Sequence, residues 1–100
     1  MALERRKLLV VVTEAEIEDE IVRTLEEAGA HGYTVSEVRG KGERGLRSAG
    51  WRRDANIRVE VLCGEAAAEH FIEVLQERFL ANYAMVLWTC EAMVLRPHKF

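Results

Sequence analysis

Short apolar runs and amphipathic segments alternate along this chain, and their spacing predicts its secondary structure. Residues 7–12 are mostly apolar and rich in β-branched side chains, which predicts a buried strand. Residues 17–28 carry apolar side chains at helical spacing, and Gly29 follows as a C-terminal stop. Thr13 and Glu16 have the spacing of a capping box, so we expect Thr13 to cap this helix.

The second part of the chain repeats strands and a helix after an interruption at residues 40–56. The patterns predict a strand at 33–38, an alternating strand at 57–62, a helix at 67–79, a last strand at 83–89, and a further short strand at 92–95 that Pro97 stops. The predicted order is therefore β, α, β, long loop, β, α, β.

This order predicts an α+β fold of the ferredoxin-like βαββαβ type, with an antiparallel sheet and both helices on one face. The length of 100 residues fits a single domain over residues 1–100. The other sheet face then needs cover, and we expect it to pack against other subunits. The apolar residues that we assign to this uncovered face are Val35, Ile57, Val59, Met85 and Leu87.

The interruption at residues 40–56 is the most informative segment for function. It is much longer than the usual ~4–6 residues of a connection, and such loops are usually functional or disordered. Three glycines in six positions let main-chain N–H groups approach an anion, and Lys41, Arg44 and Arg47 can neutralise it. This favours a phosphate ligand, although a charged hairpin without ligand has the same composition. Trp51 fits either a stacking platform or an anchor of the loop.

The charge of the chain is distributed unevenly. The formal net charge is −3, yet residues 39–54 hold six basic and two acidic side chains, a net +4 that leaves −7 elsewhere. A generally basic nucleic-acid coat is excluded. An acidic scaffold with one cationic, glycine-rich loop suits a small phosphorylated ligand better than a polyanion.

Cysteine usage and hydropathy indicate a cytoplasmic protein. Cys63 and Cys90 have no CxxC spacing, so we interpret both as buried free thiols in a reducing cytosol. The longest apolar runs are far shorter than the ~20 residues of a membrane span. We expect no insertion into a membrane.

No catalytic constellation is visible, so we expect a protein that is not an enzyme. His31, His70 and His98 do not have metal-ligand spacing. Glu43 could position a water against a phosphate, which keeps slow nucleotide hydrolysis as an alternative. A weak RNA-binding module is a second alternative, but the predicted strands lack the aromatic platform that stacks bases. We therefore expect no nucleic-acid partner.

Segments spread over nearly the whole chain form a specific combination. They are Gly32-Tyr33-Thr34-Val35, the run GKGERGLRS at residues 40–48, Ala55-Asn56-Ile57-Arg58 and His98-Lys99-Phe100. This combination resembles the PII-like signalling proteins linked to bicarbonate transport and carboxysomes. Residues 48–51, 82–87 and 94–97 look closer to the carboxysome-associated branch than to the transporter-binding branch.

The resemblance implies a homotrimer whose inter-subunit clefts bind adenine nucleotides, namely AMP, ADP, ATP or cyclic AMP. Transferred to this sequence, the phosphate side of the site would be formed by Gly40, Lys41, Gly42, Arg44, Gly45, Arg47 and Ser48. Tyr33, Thr34 and Leu87 would line the adenine and ribose, and Arg96 of a neighbouring subunit would also reach the phosphates.

The resemblance also implies how such a protein signals. The family's T-loop corresponds to the long connection here, and bound nucleotide decides whether that loop is ordered. Some members bind bicarbonate beside the nucleotide. The implied partner is a bicarbonate transporter or a carboxysome component. The loop contains no tyrosine, so uridylylation is not expected.

Overall fold

The computed structural model describes residues 2–40 and 55–100. The elements are β1 (Glu4–Glu14), α1 (Glu18–Glu27), β2 (Thr34–Val38), β3 (Asn56–Cys63), α2 (Glu65–Phe79) and β4 (Val86–Val94), with short 3₁₀ helices at Ala15–Ile17 and Pro97–Lys99.

The four strands form one sheet in the order β2-β3-β1-β4, and each neighbouring pair is antiparallel. Val11 marks one row across the sheet, because it pairs with Val59 of β3 and with Leu87 of β4. Val59 in turn pairs with Val35 of β2. β1 and β3 are central and β2 and β4 are the edges, which confirms the predicted ferredoxin-like arrangement.

Both helices cover the same face of the sheet, and the core lies between the two layers. Phe71, Leu75 and Phe79 share one side of α2 because they recur at helical spacing. Ile21 and Leu25 form the corresponding stripe on α1. The sheet meets them with buried side chains at alternate positions: Leu9, Val11, Ile57, Val59, Val61 and Cys63.

Our assignment of residues to the uncovered face was wrong. Ile57, Val59 and Met85 belong to the buried core under the helices, and Val35 and Leu87 pack against that core. Alternation shows which side chains of a strand share a face, but not which face the helices cover. A change of one position moves every side chain to the other side of the sheet, and the five residues were assigned with the opposite parity.

The face without helices, which we call the open face, is still partly apolar. Its apolar residues include Leu8, Val10 and Val12 of β1, Val38 of β2, Leu62 of β3, and Val86 and Trp88 of β4. Trp88 is 43% exposed and pairs with Val10. The Arg58 guanidinium lies 5.7 Å from the Trp88 ring centre, and Arg58 Nε lies 3.2 Å from Glu60 Oε2. We still expect the open face to pack against other subunits, but through these residues and not through the five that the sequence analysis assigned to it.

Two details of the predicted elements were also wrong. Thr13 does not cap a helix: it is the penultimate residue of β1, pairs with Ile57 and is fully buried, while the first helical turn begins at Ala15. The last two predicted strands are one continuous strand, β4, that pairs with β1 along its length. Pairing with the long β1 carries β4 through Cys90 and Glu91, where the apolar pattern is interrupted.

The two cysteines differ in burial. Cys63 is a buried free thiol as predicted, and burial raises its pKa above the ordinary value. Cys90 is also free, but it is exposed in the protomer, so the expectation that it is buried was wrong for the single chain. It pairs with Leu8 and shares the open face with it.

Replacing Leu75 with alanine is expected to destabilise the protein by about 2–5 kcal/mol, because the fully buried side chain would leave a cavity between α2 and the sheet. Leu80 is 40% exposed just beyond α2 and gives the control Leu80→Ala. Urea denaturation of both variants at one protein concentration measures the difference. Equal free energies of unfolding for the two variants would contradict this view of the core.

Candidate functional site

The long connection leaves and re-enters the sheet at one end, which we call the loop end. Val38, the last residue of β2, pairs with Asn56, the first residue of β3. Asn56 pairs with Glu14, the last residue of β1. Adjacent strands are ~4.8 Å apart, so residues 39 and 55 start the connection from neighbouring positions. The base of the loop is therefore a defined structural position.

Of the residues predicted to hold the phosphates, Gly40 lies just beyond β2 at the loop end and is exposed. The others lie outside the described residues: Lys41, Gly42, Arg44, Gly45, Arg47 and Ser48, as do Glu43 and Trp51. Gly40 thus marks where the predicted phosphate-binding segment begins.

Tyr33 and Thr34 lie at the other end of β2 from Gly40. Thr34 is the first residue of β2 and pairs with Glu60, and Tyr33 is 41% exposed. Six residues of nearly extended chain from Thr34 to Gly40 span roughly 20 Å. Tyr33 and Thr34 are therefore well separated from Gly40 along β2.

Leu87 and Arg96 are placed on the opposite edge of the sheet. Leu87 is half-buried on β4 and packs against the core. Arg96 is exposed after β4 and precedes the 3₁₀ helix Pro97–Lys99. Val94 pairs with Glu4, so Arg96 lies beyond the start of β1. The eleven residues of β1 span about 34 Å, which separates Arg96 from the loop end.

Within one protomer, the predicted site residues that the structure describes are spread over the sheet rather than gathered in one place: Tyr33, Thr34, Gly40, Leu87 and Arg96. They occupy both edge strands and both ends of the sheet. A depression near His31, Cys63 and Phe100 has a volume of about 130 Å³, whereas ligand pockets usually measure ~300–1,000 Å³. Among the described residues, those predicted to bind nucleotide therefore do not converge on one another within a protomer.

Sequence reasoning missed one group at the loop end, the carboxylate of Glu14. Its Oε2 accepts a hydrogen bond from the Ala84 backbone N–H at 3.1 Å, and its Oε1 accepts one from the Thr13 hydroxyl at 2.7 Å. Ala15 N–H also donates to the Ala55 carbonyl at 2.9 Å. Its contact with Ala84 is set by a strand register that the sequence does not display.

The histidines give no indication of a metal site. His31, His70 and His98 are all exposed, and His70 lies beside Phe71 with ring centres 6.2 Å apart. Within residues 2–40 and 55–100, no group of three His, Cys, Asp or Glu side chains is arranged to hold a metal ion. Across those same ranges, no helix has the length and apolar character needed to cross a membrane.

Comparison with known protein families shows to which family this chain belongs. The family profile described as nitrogen regulatory protein P-II matches residues 6–99. The chain belongs to the P-II family. Proteins of this family are regulatory signalling proteins that form trimers.

Solved structures agree with the P-II assignment over the whole chain. A protein from Thermus thermophilus, described as a PII-like signalling protein, is 35% identical with a TM-score of 0.84, and the match covers 100% of this chain and 99% of that one. CPII from Thiomonas intermedia, bound to ADP and bicarbonate, is 27% identical with a TM-score of 0.85 and coverages of 99% and 97%. CPII was also solved with ADP, AMP and bicarbonate, at 27% identity, a TM-score of 0.82 and coverages of 99% and 96%.

The RNA-binding alternative is further weakened by the open face of this P-II chain. RNA-binding sheets of this topology stack bases on aromatic side chains. On the central strands the open face instead carries Leu8, Val10 and Val12 of β1 and Arg58, Glu60 and Leu62 of β3. Trp88 is the third residue of the edge strand β4.

Proposed function

We propose that this P-II protein is a sensor of adenine nucleotides that binds them in clefts between the subunits of a homotrimer. The observation that carries the proposal is the similarity to CPII, which holds ADP, AMP and bicarbonate in a fold that matches this chain over almost its full length. The residues 40–48 of this chain supply the phosphate ligands in the proposal, through glycine N–H groups and the cations Lys41, Arg44 and Arg47.

The separation of the candidate residues supports an assembly of several copies. Gly40 lies at the loop end, whereas Arg96 lies at the other end of the sheet. In the proposed site, the loop of one protomer meets Tyr33, Thr34 or Arg96 of another. The open face supplies the trimer contact in the proposal, since Val86 and Trp88 on it are 44% and 43% exposed in a single chain and would be buried by association.

Nucleotide occupancy is the proposed signal. Residues 39–54 carry a net +4, so a bound phosphate removes the repulsion among these cations and favours an ordered loop. The ordered and unordered forms present different surfaces to a partner. We propose the inorganic-carbon branch of the family as its setting, with bicarbonate as a second ligand and a bicarbonate transporter or carboxysome component as the partner. Residues 48–51, 82–87 and 94–97 support this choice.

Three further features belong to the same proposal. The protein acts by binding rather than by catalysis, as expected of a regulatory family. Its free Cys63 and Cys90 fit a reducing, cytoplasmic compartment. The domain comprises residues 1–100.

Calorimetric titration tests the proposed function directly. We expect AMP, ADP, ATP or cyclic AMP to bind, and we expect adenosine to bind much more weakly because it lacks the phosphate that residues 40–48 would contact. Repeating the titration with bicarbonate in the buffer should raise the nucleotide affinity if the two ligands bind side by side. Absence of binding by all four nucleotides at millimolar concentration would refute the proposal.

A further inference from the structure

Glu14 connects the end of β1 with the segment between α2 and β4, which are far apart in the sequence. It is the last residue of β1, half-buried, and its carboxylate has two partners. One oxygen accepts from the Thr13 hydroxyl at 2.7 Å, and the other accepts from the Ala84 backbone N–H at 3.1 Å. Ala84 belongs to the connection between α2 and β4, so this contact spans 70 positions of the chain.

The strand register explains why a side chain makes this contact. The pairing of β1 with β4 ends where Val12 meets Val86. Continued by two residues, the same register would place Glu14 opposite Ala84. At that point β1 ends and the chain turns into the 3₁₀ helix at Ala15. The Glu14 carboxylate therefore accepts the Ala84 N–H beyond the last backbone pair, and it holds the α2–β4 connection against the end of β1.

The same residue borders the base of the long loop on its other side. Glu14 pairs with Asn56, and Asn56 pairs with Val38, two residues before Gly40. The neighbouring Ala15 N–H donates to the Ala55 carbonyl at 2.9 Å. Glu14 therefore lies between the loop base and the α2–β4 connection. It is strand-paired with Asn56 at the loop base and hydrogen-bonded to Ala84 in the connection.

We propose that Glu14 is a positioning residue of the nucleotide site, whose carboxylate fixes the α2–β4 connection relative to the base of the glycine-rich loop. This inference rests on the proposed nucleotide binding. The carboxylate acts through hydrogen bonds to the chain and does not contact the ligand, since a negative charge beside a phosphate would oppose binding. The α2–β4 connection leads into the predicted site residue Leu87, so the effect of Glu14 is to hold this part of the chain at a constant position relative to the loop base before the ligand arrives.

Three substitutions separate the position of this side chain from its charge. Glu14→Gln removes the charge but keeps the reach: the amide oxygen can accept from Ala84 N–H, and the amide nitrogen can donate to Thr13 Oγ1. Glu14→Asp keeps the charge but is one methylene shorter. Glu14→Ala removes both. Glu16→Ala is the control, because Glu16 is exposed and lies only two residues further along.

Titration with ADP and AMP, alongside thermal unfolding and size-exclusion chromatography of each variant, provides the test. We expect Glu14→Ala and Glu14→Asp to bind about ten-fold more weakly, as for the loss of one hydrogen bond to a charged group. Glu14→Gln and Glu16→Ala should stay within about two-fold of the parent. Amide hydrogen exchange at Ala84 should become faster in the alanine and aspartate variants and stay slow in the glutamine variant.

The outcomes distinguish this inference from the function on which it rests. A parent protein that binds no nucleotide refutes the proposed function. A parent that binds, with all Glu14 variants equal to it, refutes the positioning role alone. Weak binding by the glutamine variant with normal binding by the aspartate variant would show that charge matters rather than position, which also overturns it. If Glu14→Ala fails to fold, the comparison of Glu14→Gln with Glu14→Asp still tests the positioning role.

Discussion

Arg47→Ala is expected to weaken the binding of AMP and ADP about ten- to a hundred-fold and to leave the trimer intact. A guanidinium can donate two parallel hydrogen bonds to a phosphate, and bonds to charged groups contribute about 1.5–3 kcal/mol each. One such interaction lost corresponds to about a ten- to hundred-fold change in the dissociation constant. The assembly should persist because Arg47 falls in the sequence between β2 and β3 and is not one of the strand residues that form the open face.

The control for this experiment is Arg23→Ala, since Arg23 is exposed on α1 and carries the same charge. A general effect of net charge on an anionic ligand would weaken binding equally in both variants, whereas a direct contact affects Arg47 alone. Arg47→Lys should give intermediate affinity, because lysine keeps the charge but not the two-pronged geometry. Calorimetry and size-exclusion chromatography measure the two properties separately. Unchanged nucleotide affinity in Arg47→Ala would remove this residue from the site.

Much of the fold could be predicted because its elements have strong local patterns. The apolar run in β1 and the stripe of Phe71, Leu75 and Phe79 on α2 each indicate one kind of element, and the structure has both. Once the order of strands and helices is known, only a few sheet topologies are compatible with it. The boundaries were less predictable: β4 passes through Glu91, which a local pattern does not favour but which the pairing with Lys7 requires.

The parity of the sheet was the main error, and the chain contained a signal against it. Ile57 and Val59 alternate with Arg58 and Glu60, which was recognised, but the apolar positions were assigned to the face without helices. The apolar stripes of α1 and α2 need a matching apolar surface, and the most regular apolar positions of β3 are the ones that supply it. A consistent treatment of both layers would have placed Ile57 in the core.

The candidate site was predictable only in part, for a physical reason. Composition identifies a cationic, glycine-rich segment without any knowledge of the fold. The Glu14 to Ala84 contact depends on where the pairing of β1 and β4 ends, and two residues 70 positions apart give no local signal of it. The same holds for the separation of Gly40 from Arg96 within the protomer, which follows from the antiparallel register.

Trp88→Glu is expected to convert the trimer into monomers and, for that reason, to abolish nucleotide binding. Trp88 is 43% exposed in the protomer, beside Val10 and under the Arg58 guanidinium, on the apolar open face. A carboxylate at this position would have to be desolvated in every copy on assembly, at a cost of several kcal/mol per charge. The protomer itself tolerates the substitution, because the side chain is not part of the helix-covered core.

The loss of nucleotide binding follows from geometry rather than from chemistry. Every predicted phosphate ligand of residues 40–48 remains in the variant, but Arg96 follows β4 at the opposite end of the sheet from the loop of its own protomer. A monomer therefore holds only fragments of the site. The matched control is Leu80→Glu, which also places a carboxylate at an exposed apolar position, 40% exposed, but just beyond α2.

Light scattering and calorimetry on the two variants test both parts of this prediction. Trp88→Glu should have the 11.4 kDa mass of one chain with an unchanged circular dichroism spectrum, and it should bind ADP at least about a hundred-fold more weakly. Leu80→Glu should keep the trimer and its affinity. A trimeric Trp88→Glu variant would show that the open face is not the contact surface. A monomer with the parent's affinity would show that one chain is sufficient for the site, and the assignment of Arg96 to a neighbouring subunit would then be wrong.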